Sequence, residues 1–182
     1  MATAPPASID RSARARQFEA LYDAHFDFVY RSVRRLGLPE ALAEDATQEV
    51  FMIVHRRLDD FDGTSTARTW IFGIAFNVVR NHRRQRMRRG EHETLTDEGL
   101  ADTTSSPAER AERAEAMRTL DRLLDTLDED RRAVFVLAEL EQMSATEIAE
   151  ALGINANTVY SRLRAARQDF EAAARRYRRG AR

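Results

Sequence analysis

The sequence predicts an all-α protein of two small helical domains joined by a flexible acidic linker, with a helix-turn-helix at the end of the second. Apolar residues recur at helical spacing over most of the chain, and strand-like alternation persists nowhere. Only 7 of the 182 residues are glycine and 4 are proline, while 32% are charged, which is typical of helical proteins. The length suits two domains of about 60 to 90 residues each.

Changes of composition along the chain predict four segments. Small residues and prolines open the chain, and acidic and hydroxyl residues separate two helical stretches. In order, the segments are a disordered lead-in at residues 1–13, a first helical domain at 14–90, an acidic linker at 91–106 and a second helical domain at 107–182. The two helical domains are therefore expected to carry the function.

Three amphipathic helices are predicted in the first domain, enough to bury one small core. They run from Gln17 to Leu36, from about Glu40 to Asp60, and through Trp70 to Val79, where the third gives way to the basic segment NHRRQRMRRG. Trp70 shares the helical period of Ile74 and Ala75. By period alone it is predicted to be a core residue rather than a platform for a base.

Capping signals define the helices of the second domain. Ser106 and Glu109 form a capping box around Pro107, which suits the first helical position, so a helix is predicted to about Leu127. Asp128 is the predicted N-cap of the next helix, which extends to Glu141.

The segment from Ser144 to Arg167, SATEIAEALGINANTVYSRLRAAR, predicts a helix-turn-helix. Ser144 and Glu147 form a capping box, Gly153 suits the left-handed turn residue, and Asn155 is a good N-cap. The outward residues of the second helix can bond phosphates or base edges: Asn157, Thr158, Tyr160, Ser161, Arg162, Arg164 and Arg167. This arrangement indicates a DNA-binding recognition helix rather than a solvated helical hairpin.

Several classes of site are excluded or disfavoured by composition. The chain has no cysteine, which excludes disulfides and thiolate ligands, and its four histidines lack metal-binding spacing. These observations predict no metal, cofactor, small-molecule substrate or catalytic site. Neither a membrane-spanning run nor a signal peptide is evident, so we expect a cytoplasmic protein.

Charge is unevenly distributed although the formal net charge is only −1. Arginines crowd residues 80–89 and 162–182, whereas acids crowd residues 91–115. Every basic residue other than histidine is arginine, which suits phosphate and guanine recognition but also fits a GC-rich genome. A further acidic patch, Glu44, Asp45, Gln48 and Glu49, would by composition alone be a solvated helix face.

The chain resembles the extracytoplasmic-function (ECF) group of bacterial RNA polymerase sigma factors from about Phe18 to Phe170. Three motifs carry the resemblance, in the order and at about the separations of that family. They are DATQEVF at Asp45 to Phe51, FDGTSTARTWIFGIAFN at Phe61 to Asn77, and the helix-turn-helix. Together they are specific, whereas each alone would be a weak signal.

The resemblance implies a role for each motif. Asp45, Gln48 and Glu49 would bind the clamp helices of the largest subunit of core RNA polymerase. The minus-ten promoter element would be bound by Arg68, Trp70, Asn77, Arg80, Arg83 and Arg84. Tyr160, Ser161 and Arg164 would read the minus-thirty-five element, with Asn157, Thr158, Arg162 and Arg167 nearer the DNA backbone. ECF relatives often have an anti-sigma partner.

Some positions depart from the pattern of that family. Ala67 stands where an aromatic residue is frequent, and Gly73 and Phe76 stand where basic residues are frequent. Asn157 replaces a common glycine, and Tyr160 a common lysine or arginine. Base preference at Tyr160 therefore does not carry over from relatives.

Rival interpretations start from the same DNA reader. A one-component helix-turn-helix regulator would add a ligand-sensing or dimerising domain and bind DNA tightly without polymerase. A recombinase or nuclease would need a nucleophile or clustered carboxylates at ligand spacing. A purely structural adaptor would leave the outward residues of the recognition helix without a role.

Overall fold

The computed structural model describes residues 7–89 and 106–180, and no strand occurs in these two stretches. Seven α-helices follow in chain order: α1 Ala7–Arg35, α2 Glu40–Arg56, α3 Ala67–Arg89, α4 Pro107–Leu124, α5 Glu129–Phe135, α6 Ala145–Leu152 and α7 Ala156–Gly180. A 3-10 turn at Leu58–Asp60 follows α2, and a π-helical segment at Val136–Leu140 continues α5. The all-α prediction is confirmed.

Predicted helix boundaries differ from the structure at several places. The lead-in prediction is wrong for residues 7–13, which begin α1 because alanine and arginine favour helix and nothing after Pro6 interrupts it. Arg14 then ties α1 to the end of α2 through the His55 carbonyl (2.8 Å) and Asp59 (3.4 Å). The predictions for residues 1–6 and for the linker up to residue 105 lie outside the described residues.

The basic segment after Val79 is helical up to Arg89, so the prediction that α3 ends at Val79 is wrong. Arginine, glutamine and methionine are good helix formers, and basic side chains in the last turn suit the negative end of the helix dipole. The second helix ends at Arg56, earlier than predicted, because the chain tightens into the 3-10 turn.

The predicted caps of the second half are confirmed by hydrogen bonds. Ser106 and Ser144 each form a complete capping box, and the Asp128 side chain accepts from the Arg131 amide. Asn155 Oδ1 accepts from the Thr158 amide at 2.8 Å, and Gly153 adopts φ 64° at the end of α6. These local signals set where α4 to α7 begin.

The largest apolar cluster spans both halves of the described chain, residues 7–89 and 106–180. Val33, Val50 and Ile71 from the first half share it with Leu137 and Ile148 from the second. A smaller cluster within the second half joins Leu124, Leu127, Phe135, Val136 and Ala166. The sequence predicted two separate small domains, and periodicity within single helices contained no sign of this shared cluster.

Helix α6 rests on α3, and a glycine allows the close approach. A Cβ on Gly73 would lie 2.8 Å from the backbone oxygen of Ala151, closer than carbon and oxygen tolerate. Only a residue without a side chain fits at this point of the contact between the halves.

Candidate nucleic-acid interface

The recognition helix α7 is anchored by its apolar stripe. Val159 and Ala166 are fully buried, and the ring of Phe170 stacks on Phe135 at 4.6 Å. With Asn155 fixing the start of the helix, the opposite face of the first turns points to solvent.

The seven predicted DNA-contacting residues of α7 fall into two groups. Asn157, Tyr160, Ser161 and Arg164 are exposed, Tyr160 at 62%. Arg162 and Arg167 are instead ion-paired with Asp130 and Glu139, each at 2.6 Å, and Thr158 bonds back to Asn155. Among the described residues Arg164 has no ion-pair partner. Unlike Arg162 and Arg167, it can contact a base without first breaking an ion pair.

The acidic patch of α2 is exposed in part. Asp45 and Gln48 lie open to solvent, whereas Glu49 is half-buried and its Oε2 lies 2.9 Å from His82 Nε2. Met52, which is 60% exposed, extends the same helix face by one turn. Sequence reasoning missed Met52, although its spacing of three from Glu49 and four from Gln48 was a readable signal.

The six residues predicted for the minus-ten element lie along α3 but in different surroundings. Arg84 is exposed, and Asn77 is exposed with its amide bonded to the Gly73 carbonyl at 2.9 Å. Trp70 is half-buried against Phe61, with ring centroids 5.1 Å apart, and Arg83 donates to the Leu36 carbonyl at 3.2 Å. Period alone predicted Trp70 as a core residue, and it is only partly so.

Two of these arginines are paired with acids from the second half. Arg68 bonds Glu141 and also lies over the Phe28 ring at 4.5 Å. Arg80 is 2.7 Å from Glu129. Both predicted DNA contacts are therefore occupied by carboxylates in this arrangement.

A cleft of about 460 Å³ lies between α3 and α6. One wall holds Trp70, Asn77 and Arg80, and the other is formed by residues 150–153. Three predicted DNA-contacting residues thus meet at one concave surface, and the second half forms its opposite wall.

Buried charges join the two halves. Glu141 is 5% exposed and accepts from Arg35 at 2.5 Å as well as from Arg68. Arg132 is 3% exposed, donates to the Arg35 carbonyl at 2.6 Å and pairs with Asp125. Sequence reasoning missed Glu141 and Arg132 because their partners in the first half are distant in the chain.

Burial sets the direction of two pKa shifts near these contacts. Desolvation lowers the pKa of Arg132, and Arg83 lowers it further, while the hydrogen bond to Asp125 opposes both. Desolvation also lowers the pKa of His25, with the Arg68 charge acting in the same direction.

Among the described residues no cluster of three or more acidic or histidine side chains could hold a metal ion. No described helix is long and apolar enough to span a membrane.

Comparison with known proteins matches each half to a different family model. Sigma-70 region 2 matches residues 21–89, and Sigma-70, region 4 matches residues 117–170. The RNA polymerase sigma factor NccH of Alcaligenes xylosoxydans xylosoxydans is 32% identical over 168 residues, 89% of this chain and 90% of the relative. The ECF RNA polymerase sigma-E factor of Escherichia coli K12 is 31% identical over 142 residues, 74% of each chain.

Solved structures of similar fold come from the same class of protein. CnrH in complex with the cytosolic domain of CnrY has a TM-score of 0.64 at 28% identity, and the match covers 87% of each chain. The sigma factor RpoE in complex with the anti-sigma factor NepR, from Bartonella quintana, has a TM-score of 0.73 at 20% identity, covering 88% of this chain and 98% of RpoE.

Proposed function

Since the chain belongs to the ECF group of sigma-70-type RNA polymerase sigma factors, we propose how its two halves divide the work of directing the polymerase to promoters. The first domain, residues 14–90, binds core polymerase and the minus-ten element. The second, residues 107–182, binds the minus-thirty-five element, and residues 91–106 join them. The observation that carries this division is that one chain exposes both an acidic helix face on α2 and a recognition face on α7.

Polymerase docking is assigned to the exposed face of α2. Asp45 and Gln48 are the primary contacts because their side chains are exposed to solvent. Met52 adds an apolar contact beside them. Glu49 belongs to the same face, but its pairing with His82 has to be exchanged for a contact with the clamp helices of the largest polymerase subunit.

The minus-ten element is assigned to the loop before α3 and to α3 itself. Arg68, Arg80, Arg83 and Arg84 offer charge to phosphates, and Trp70 and Asn77 line a concave surface where an aromatic ring and an amide can meet an unstacked base. Arg68 and Arg80 serve this role only after their carboxylate partners leave.

The minus-thirty-five element is assigned to the first turns of α7 in the major groove. Tyr160, Ser161 and Arg164 face the base edges, while Asn157, Thr158, Arg162 and Arg167 lie nearer the phosphates. The half-exposed pairs of Arg162 with Asp130 and Arg167 with Glu139 are weak enough to yield to DNA.

Energetics explain why such a chain needs the polymerase. Each stacked step of duplex costs about 1.4 kcal/mol to lose, so opening about ten pairs needs more than 10 kcal/mol. Stacking one captured base on an aromatic side chain returns only about 1–3 kcal/mol. The chain therefore captures bases that leave the stack while the polymerase holds it in position, and it has no catalytic step of its own.

A protein partner and a cytoplasmic location complete the proposal. The relatives CnrH and RpoE have been solved with CnrY and with the anti-sigma factor NepR, respectively. An anti-sigma factor of this kind is therefore expected for this chain, and core polymerase requires that the chain act in the cytoplasm. The one-component regulator is not favoured, because both sigma regions match.

Reconstitution with core RNA polymerase tests the proposal directly. The purified chain is added to bacterial core enzyme, and transcription from a genomic promoter library is combined with footprinting at both elements. We expect promoter-specific transcripts that neither component produces alone. High-affinity DNA binding by the lone chain, or no association with core enzyme, would contradict the proposal.

Arg164 and Arg167 are expected to differ in what they contribute. Arg164→Ala relaxes base preference at one or two upstream promoter positions, because a good bidentate base contact discriminates by about 1–3 kcal/mol. Arg167→Ala weakens binding to all sequences alike and lowers the salt dependence, because it removes a phosphate contact. Transcription from a promoter library randomised around the minus-thirty-five element measures both, and the same pattern of loss in the two variants would refute the division.

A further inference from the structure

Two arginines of the recognition helix are held by acids from the segment that precedes the helix-turn-helix. Arg162 Nη2 lies 2.6 Å from Asp130 Oδ2, near the start of α5. Arg167 meets Glu139 Oε1 through both its Nε, at 2.8 Å, and its Nη2, at 2.6 Å. These are the two arginines of α7 assigned to phosphates. Arg164, which is assigned to a base edge, has no ion-pair partner among the residues that the structure describes.

The pairing engages the atoms that DNA would use. A guanidinium binds a phosphate through two parallel N–H groups on one edge, and the Nε and Nη2 edge of Arg167 already faces Glu139. A carboxylate therefore competes with phosphate for the same donors. Because sequence-independent affinity for DNA comes mainly from phosphate contacts, the competition acts on that part of binding.

The backbone fixes Glu139 in this place. Glu139 lies in the π-helical segment Val136–Leu140, which continues α5. Gln142, which has φ 55°, donates from its side-chain amide to the Glu139 carbonyl at 2.7 Å. Such π-helical turns are rare and occur frequently at functional sites. The position of Glu139 opposite Arg167 is thus set by the fold of the chain around it.

Exposure makes both ion pairs weak enough to exchange. The four side chains are between 30% and 56% exposed. Exposed pairs contribute little because water and salt screen them. DNA can therefore displace the two acids, but it binds less tightly than it would bind to arginines without a partner.

We propose that Asp130 and Glu139 lower the sequence-independent affinity of the second domain for DNA, because they compete with phosphates for Arg162 and Arg167. The base contact of Arg164 is not subject to this competition. A genome offers a large excess of non-specific sites, so a chain with a lower affinity for phosphates is less often retained away from promoters. This proposal rests on the assignment of α7 to the minus-thirty-five element.

Two variants release the arginines without removing an assigned DNA contact. Asp130→Asn and Glu139→Gln each remove the charge of the acid and keep the size of the side chain. Asp169→Asn is the matched control, because it removes the same charge from another ion pair between α5 and α7, that of Asp169 with Arg131 at 2.7 Å. Arg131 has no assigned role in DNA binding. Circular dichroism checks that all variants keep their helices.

Binding of the full-length proteins to a labelled duplex of random sequence is measured by fluorescence anisotropy between about 50 and 200 mM salt. We expect each acid variant to bind about threefold more tightly than the wild type, and the double variant about tenfold, because an exposed ion pair no longer has to be broken. The slope of log affinity against log salt should steepen by up to about 0.9 for each acid, since a displaced acid takes up a cation in the wild type. The control should stay close to the wild type.

A double-mutant cycle separates competition from net charge. In an Arg167→Ala background, the gain from Glu139→Gln should shrink to that of the Asp169→Asn control, because the arginine to be released is absent. Competition is refuted by a full gain in that background, by an equal gain in the control, or by unchanged binding of either acid variant. Failure of the proposed function is a separate result, since the wild type would then give no promoter-specific transcription with core polymerase.

Discussion

Reversing the charge of Asp45 (Asp45→Arg) is expected to abolish co-purification with core RNA polymerase while the fold stays intact. Asp45 is exposed on α2, and an exposed substitution that breaks no contact usually changes stability by no more than about 0.5 kcal/mol. At a docked interface the same change sets like charges against one another, which costs several kcal/mol, a loss of affinity on the order of 100-fold or more. A tagged pull-down of core enzyme measures this loss, and circular dichroism measures the fold.

The control for this variant is Asp23→Arg, the same reversal at an exposed position of α1. It should leave polymerase binding unchanged, which separates a local contact from the effect of net charge. Glu49→Arg is a poorer choice, because it also breaks the contact with His82. Retention of core enzyme by Asp45→Arg at the wild-type level would remove the docking assignment.

Features specified by neighbouring residues were predictable from the sequence. The caps at Ser106, Asp128 and Ser144 depend on a side chain and an amide three residues apart, so reading the letters suffices. The division of α7 into a buried stripe and an exposed face likewise follows from its period, as Val159 and Tyr160 show.

Features that join distant parts of the chain were not predictable in this way. Glu141 is 73 residues from Arg68 and 106 from Arg35, and nothing around it distinguishes it from a solvated glutamate. The role of Gly73 was unpredictable for the same reason. A glycine within a predicted helix lowers the stability of that helix, and only the position of Ala151 explains why glycine is needed there. Arg68 and Arg80 were therefore predicted as DNA contacts without any indication that they are paired with acids in the free chain.

Truncating Phe72 (Phe72→Ala) is expected to give the largest loss of stability among single substitutions in the first half. Phe72 is fully buried, packs near Phe28 with ring centroids 6.2 Å apart, and lies in the cluster that both halves share. Phenylalanine truncation in a core costs about 3–5 kcal/mol, because it loses the burial of the ring and leaves a cavity. Since 1 kcal/mol corresponds to about 2–4 °C in a chain of this size, the Tm should fall by roughly 6–20 °C.

Met87→Ala on the same helix provides the control, because Met87 is 83% exposed and has little burial to lose. Differential scanning calorimetry should show its Tm within a degree or two of the wild type. A drop for Phe72→Ala no larger than that of Met87→Ala would mean that α3 is not held in the shared core. The contacts of Gly73 with Ala151 and of Arg68 with Glu141 depend on the same packing, because they can form only if α3 is held in this position.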